Sequence, residues 1–94
     1  MTDINGILLK PGDYVKTVGR QIHSFDLDNI AIVDNTESSS ITILFNNNGM
    51  PMPFASDPLS LSRVEDNNVN EGDRVLLSSL RSLFDKMSAE LMLA

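Results

Sequence analysis

The single histidine is the residue whose chemistry would matter most if this chain were an enzyme. His23 stands beside Ser24 and is followed by Asp26, and these are the three residue types that a hydrolytic triad combines. A triad needs its side chains to converge from separate elements, which close neighbours on one strand or loop rarely do. We therefore interpret His23 as a surface or turn residue. We expect no catalytic residue, and the chain is not predicted to be an enzyme.

One acidic segment comes close to the ligand spacing of a calcium-binding loop. Asp26, Asp28 and Glu37 fall at the first, third and twelfth positions of that pattern. The fifth and sixth positions hold Ile30 and Ala31, although the pattern needs an oxygen ligand and a glycine there. Because an apolar side chain cannot supply the ligand, we expect no calcium loop in this segment.

The rest of the chain also lacks a complete set of groups for a metal or a cofactor. A second near match over residues 66–70 reaches Leu77, which has no carboxylate, at its twelfth position. The chain has no cysteine, which excludes thiolate ligands and disulfides. Its five glycines are scattered and no Gly-Lys-Ser/Thr sequence occurs, so a phosphate-binding loop is not expected either. The sequence predicts neither a metal nor a cofactor.

The net charge is unfavourable for binding nucleic acid or an anionic membrane. Seven basic residues stand against thirteen acidic ones, which gives a formal net charge of -6. Lys10, Lys16 and Arg20 lie near Tyr14 in the sequence, but three cations make a weak electrostatic footprint for a polyanion. We expect neither nucleic acid nor a membrane among the partners.

The acidic residues are concentrated in the middle of the chain. Residues 21–66 contain Arg63 as their one basic residue. An acidic face there has two interpretations, both of which stay open. It is either an ordinary solvated surface or an imitation of nucleic acid that occupies a basic groove of a host protein, as in some small phage-encoded accessory proteins. The residues of this candidate acidic face are Asp26, Asp28, Asp34, Glu37, Asp57, Glu65 and Asp66.

The length of the chain limits it to one domain. A chain of 94 residues buries enough surface for a single core at most. Its start lacks the basic and long apolar segments of a signal peptide, and its apolar runs are too short to cross a bilayer. We therefore expect one folded domain in the cytoplasm.

Apolar residues alternate with a period of two through the middle of the chain, which is typical of strands. The Asn48-Gly49 pair predicts a tight hairpin turn, because these residues accept positive φ angles. Pro51 and Pro53 cannot donate ladder hydrogen bonds, so the strand after this turn is expected at a sheet edge. The pattern predicts four or five short strands over residues 14–18, 29–33, 41–45, 50–54 and 60–65, with a polar loop over residues 34–40.

The apolar period changes over residues 74–93 to that of an amphipathic helix, with Asp73 as its expected N-cap. The large apolar residues of its stripe offer roughly 10–20 kcal/mol of gross burial, so some surface must cover them. Three alternatives stay open: packing within the chain, a second copy of the chain, or another protein. The candidate interface residues, which follow heptad spacing, are Leu77, Leu80, Phe84, Met87 and Leu91.

The order of these segments resembles that of the Src-homology-3-like small β-barrels. The resemblance covers residues 8–66 and is carried by the strand start Pro11-Gly-Asp-Tyr-Val15, the strands Ile30–Val33 and Ile41–Phe45, and the turn Asp57-Pro-Leu59. It implies a binding function more than catalysis. The chain has one tyrosine and no tryptophan, so it differs from the members that bind proline-rich peptides. Its acidic middle differs from the members that bind nucleic acid.

Together these observations predict a mainly β protein with one helix. Residues 1–70 are expected to form a small antiparallel β-barrel, and residues 71–94 a carboxy-terminal amphipathic helix. The predicted function is that of a non-enzymatic adaptor, regulatory or protein-binding module acting through contacts with another protein or with itself.

Overall fold

Five strands and one long helix form the part of the chain that the structure describes. The structure is a computed structural model that describes residues 1–18, 30–37 and 39–93, and it leaves out the side chains of residues 91–93. The predictions made for Arg20, His23, Asp26 and Asp28 lie outside the described residues. The elements are β1 (Tyr14–Thr17), β2 (Ile30–Asn35), β3 (Ile41–Asn47), β4 (Met50–Ser56), β5 (Leu61–Val64) and α1 (Glu71–Leu93), with 3-10 turns at Pro58–Ser60 and Asp66–Asn68.

The five strands form one antiparallel sheet in the order β4-β3-β2-β1-β5. The prediction of a mainly β protein with one carboxy-terminal helix is thereby confirmed. Strands β4 and β5 are the two edges, and within the described residues no ladder joins them. The expectation that the strand containing Pro51 and Pro53 lies at an edge is also confirmed.

The connection between the two edge strands forces the sheet to curve. Ser56 ends β4 and Leu61 begins β5, so the chain between them spans at most about 19 Å, or five Cα–Cα steps of ~3.8 Å. A flat sheet would separate its edges by roughly 19 Å. The registers also place Ser56 and Leu61 toward opposite ends of the strands. In a flat sheet these two residues would therefore also be offset along the strand direction by about six residues, or roughly 20 Å. A flat sheet cannot satisfy this connection, so the sheet is strongly curved, although within the described residues β4 and β5 do not pair with each other.

The inner face of the curved sheet carries the larger apolar cluster. Its members come from β1, β2, β3 and β5 and include Leu9, and two side chains of β4 pack against them. A concave inner face brings side chains of both edge strands, β4 and β5, into one cluster. The rings of Phe45 and Phe54 meet edge to face, with centroids 5.8 Å apart. The buried members are Leu9, Val15, Ala31, Val33, Ile41, Ile43, Phe45 and Leu61, with Met52 and Phe54 packed against them.

The outer face of the sheet is covered by α1. The helix contacts β2, β3 and β4, and its apolar stripe meets the outward side chains of the strands. This cluster contains Tyr14, Ile32, Leu44, Val69, Leu77 and Leu80, with Ile30, Val64, Leu76 and Phe84 packed against it.

The hairpin between β3 and β4 has the turn that the sequence predicts. Asn48 and Gly49 both have positive φ, 53° and 86°, as a primed two-residue turn requires. Asn46 Oδ1 accepts a hydrogen bond from the Gly49 amide at 2.8 Å. The turn therefore sets the register of the longest strand pair.

The start of α1 differs from the prediction. The helix begins at Glu71, and Asn70 is its cap, because Asn70 Oδ1 accepts a hydrogen bond from the Asp73 amide at 2.8 Å. The Asp73 carboxylate in turn accepts from the Asn70 amide side chain at 3.0 Å. Asp73 therefore occupies the third helical position, and its expected role as N-cap was wrong. An Asn followed three residues later by an acidic residue is itself a sequence pattern that marks the start of a helix.

Residues 1–9 form a small hairpin that lies along β5. Thr2 and Leu8 form an antiparallel bridge, and the Leu9 amide donates to the Met1 carbonyl at 2.9 Å. The Ile4 amide donates to the Leu61 carbonyl at 3.0 Å. The hairpin therefore covers part of the outer edge of β5.

Asp3 ties this hairpin to the sheet. Its residue surface is only 1% exposed, and Oδ1 accepts hydrogen bonds from the amides of Asn5 at 2.8 Å and Ile7 at 2.9 Å. Oδ2 accepts from the Arg63 amide in β5 at 2.7 Å. Burial by itself raises the pKa of Asp3, but these amides and the Arg63 charge outweigh it, and the pKa of Asp3 is lowered. The folded state thus stabilises the ionised carboxylate.

The exchange Asp3→Ala is expected to destabilise the fold by about 2–4 kcal/mol, because it leaves buried amide donors without an acceptor. Chemical denaturation at neutral pH measures this loss. Glu37→Ala removes the same charge from an exposed position and serves as control. Because the pKa of Asp3 is lowered from 3.8, its contribution is present above that value and is lost as the pH falls below it. Equal stability of the two variants would contradict the role given to Asp3.

Candidate interaction surface

The inner face of α1 packs within the chain. Leu77 and Leu80 are each 3% exposed and belong to the outer cluster, and Phe84 packs against that cluster. Of the three alternatives that the sequence left open, packing within the chain therefore accounts for these three candidate interface residues.

The remaining candidates lie further along the helix. Met87 is 38% exposed, and its neighbour Leu83 is 37% exposed. The side chain of Leu91 lies outside the described residues. A helix of 23 residues is roughly 34 Å long, whereas the longest strands have seven residues and span roughly 23 Å. Part of the apolar stripe on α1 is therefore left uncovered by the sheet.

Two contacts fix which flank of α1 faces which strand. The Ser78 hydroxyl lies 3.4 Å from the Tyr14 hydroxyl of β1, and the Arg81 guanidinium lies 3.5 Å from Asp34 of β2. Successive helix residues turn by ~100°, which places Leu83 and Met87 on the opposite flank from Ser78 and Arg81. This apolar flank is therefore turned away from β1 and β2, and α1 also contacts β3 and β4.

The side of β4 that faces α1 carries no charge. Pro53 pairs with Leu44 of the outer cluster, so Pro51, Pro53 and Ala55 share the helix-facing side of β4. Pro53 and Ala55 are exposed. We call the combined surface the α1–β4 shelf, and it consists of Leu83 and Met87 on α1 with Pro51, Pro53 and Ala55 on β4.

The outer edge of β4 is unsuited to pairing with another strand. The N–H groups of a strand point alternately to its two sides, and prolines two residues apart permit a complete ladder on one side only. That side is used by β3, which pairs with β4 over seven positions. The free edge therefore lacks donors at Pro51 and Pro53, and strand addition is disfavoured there.

The described members of the candidate acidic face do not share one environment. Asp34 is in β2, outside the loop expected for it, and its side chain is 10% exposed beneath α1. Asp57 Oδ1 accepts from the Leu59 amide at 3.0 Å and caps a 3-10 turn. Glu65 lies 3.7 Å from Arg63. Glu37 and Asp66 are exposed.

Asp34 lies in a charged cluster between β2 and α1. Arg81 Nε is 3.5 Å from Asp34 Oδ1, although neither atom has a hydrogen-bond partner of good geometry. Burial raises the pKa of Asp34, the carboxyl group of Asp85 raises it further, and Arg81 opposes them. The result is an Asp34 pKa of about 6. The sequence pattern predicts a polar loop at Asp34, because the groups that contact this carboxylate belong to a helix far along the chain. No local sequence pattern indicates such contacts.

The chain was compared with family models, with curated proteins and with solved structures, and none of the three comparisons found a match. Among the described residues, no three histidine, aspartate or glutamate side chains converge as metal ligands would. None of the described helical residues forms a segment long and apolar enough to span a bilayer.

We expect Leu80→Asp to unfold the chain, because it places an unpaired carboxylate in the outer cluster at a cost of several kcal/mol. Circular dichroism and sedimentation at low protein concentration check this outcome. The control is Val75→Asp, which adds the same charge to a side chain that is 60% exposed. A Leu80→Asp variant that stays folded as a monomer would refute packing of this residue within the chain.

The exchange Asp34→Asn is expected to raise stability by about 1–2 kcal/mol at pH 8 and to change it little near pH 4. The raised pKa means that the folded state binds the proton more tightly than the unfolded state does. The wild type therefore loses stability as the pH rises from 3.8 to about 6. Asn imitates the protonated form. Denaturation across this pH range, with Glu37→Gln as control, tests whether Asp34→Asn raises stability. A uniform loss of stability at every pH would contradict the prediction.

Proposed function

We propose that this chain is a non-enzymatic binding module that docks a protein partner on the α1–β4 shelf. The observation that carries the proposal is that α1 contacts β4 while both elements present exposed, uncharged residues, Leu83 and Met87 on the helix and Pro53 and Ala55 on the strand. Contiguous apolar surface at the edge of a small domain is typical of protein interaction sites. Methionine supports this use, since its flexible thioether adapts to irregular surfaces.

We further propose that the curved sheet is a Src-homology-3-like barrel. Two features support this assignment: β1 starts directly after Gly12-Asp13, and a short 3-10 turn leads from β4 into β5. Such folds serve mainly as binding scaffolds, which agrees with a non-enzymatic role by analogy of fold. The lack of cysteine suits a reducing compartment such as the cytoplasm.

The alternative function, an acidic inhibitor that imitates nucleic acid, has less support. A mimic needs its carboxylates exposed on one continuous face so that they can occupy a basic groove. Asp34 lies beneath α1, Asp57 caps a turn and Glu65 pairs with Arg63. Asp34 is thereby withdrawn from the described part of the acidic face, and of its exposed members Asp57, Glu65, Glu37 and Asp66 the first two already make local contacts.

The variant Met87→Asp should abolish retention of a partner while leaving the fold intact, because Met87 is partly exposed and a carboxylate there disrupts apolar docking. The matched control is Ala89→Asp, which adds the same charge in the same part of α1 on its solvent face. Immobilised wild type and both variants are incubated with native extract, and the retained proteins are identified by mass spectrometry. Retention that is the same for wild type and Met87→Asp would overturn the proposed function.

A further inference from the structure

The form of the α1–β4 shelf restricts the kind of partner it can hold. A strand is a poor occupant, because the free edge of β4 lacks donors at Pro51 and Pro53. A helix has no unpaired backbone groups along its length, so it can cover the shelf by side-chain contact alone. The occupant is therefore expected to present an amphipathic helix with an apolar ridge.

Helix α1 itself has such a ridge. Leu83 and Met87 lie on one flank, and the charged residues that border them on the solvent side are Lys86 and Glu90. If two α1 helices run antiparallel about a twofold axis near Ser88, Lys86 of each copy faces Glu90 of the other. The two Met87 side chains then lie within one helical turn of each other. The border of the ridge is thus complementary in charge to its own twofold copy.

We infer that the α1–β4 shelf binds a second copy of this chain, with the two α1 helices antiparallel and each lying over the β4 strand of the other. The inference rests on the proposed function, since it names the partner of the same surface. A strip as long as α1 and about 10–15 Å wide covers roughly 350–500 Å² per copy, which is below the ~800 Å² of a standard interface. The dimer is therefore expected to be weak and to form at high protein concentration.

The net charge gives the dimer a distinctive response to salt. Each chain carries a formal charge of -6, so two copies repel each other at low ionic strength. Salt shortens the range of this repulsion, from about 14 Å at 50 mM to about 4 Å at 500 mM. Salt also screens the Lys86–Glu90 pairs, but these are fewer than the excess charges that repel each other, so self-association should tighten as salt is added. A basic partner held by the acidic residues would behave in the opposite way.

Sedimentation equilibrium over a range of protein concentrations tests the inference. We expect the wild type to approach twice its 10.3 kDa mass at high concentration, and more readily at high salt. Met87→Asp on α1 and Ala55→Asp on β4 should each raise the dissociation constant about tenfold or more. Ala89→Asp on the solvent face of α1 should leave it unchanged. Circular dichroism of each variant confirms that the fold is retained.

The other outcomes separate this inference from the proposed function. In one outcome the wild type stays monomeric at every concentration and salt, but Met87→Asp no longer retains a protein that the wild type retains from the extract. This outcome would overturn self-pairing and keep the shelf as a site for a different protein. A monomer whose retained proteins do not depend on Met87 would overturn both. A dimer that tolerates Met87→Asp and Ala55→Asp would place the contact elsewhere and overturn the inference.

Discussion

The short connection from β4 to β5 is the constraint on which the rest of the molecule depends. Because residues 57–60 must join opposite edges of the sheet, the strands curve and divide their side chains between an inner and an outer face. Among the described residues, the inner face is filled by side chains of the strands together with Leu9. The outer face cannot close on itself, so it needs a separate cover, and α1 provides it. The connection also holds its own geometry, with Asp57 capping the turn and Pro58 beginning it.

Polar contacts determine how α1 sits on that outer face. Apolar packing of Leu77 and Leu80 would tolerate several rotations of the helix, whereas Arg81 beside Asp34 and Ser78 beside Tyr14 select one. This selection turns Leu83 and Met87 away from β1 and β2. The cluster at Asp34 is energetically poor at neutral pH, since two carboxyl groups compete for one guanidinium. The charged contact that orients α1 therefore costs some stability, as buried ionic groups in proteins often do.

Local patterns were enough to predict most of the fold. Alternating apolar residues and the Asn48-Gly49 turn identified the strands within one or two residues at most ends, and helical periodicity identified α1. One failure was local, since Asn70, three residues before Asp73, already has the pattern of an N-cap, whereas the others share one physical cause. Asp34 lies beside Arg81 of α1, and Asp3 accepts a hydrogen bond from an amide of β5, so the surroundings of both depend on residues distant in sequence. The shelf was missed for the same reason, because no local pattern shows that α1 packs next to β4.

The contact between Asp3 and Arg63 has a further consequence for the order in which the chain folds. These residues are 60 positions apart, whereas the hairpins from β2 to β4 join residues that are close in sequence. Closing a long loop costs more entropy than closing a hairpin, so the local hairpins are expected to form before the amino terminus finds β5. During synthesis, residues 1–9 emerge before β5 and must wait for it. The amino-terminal hairpin therefore acts late, and its interactions slow the unfolding of a completed domain more than they speed its formation.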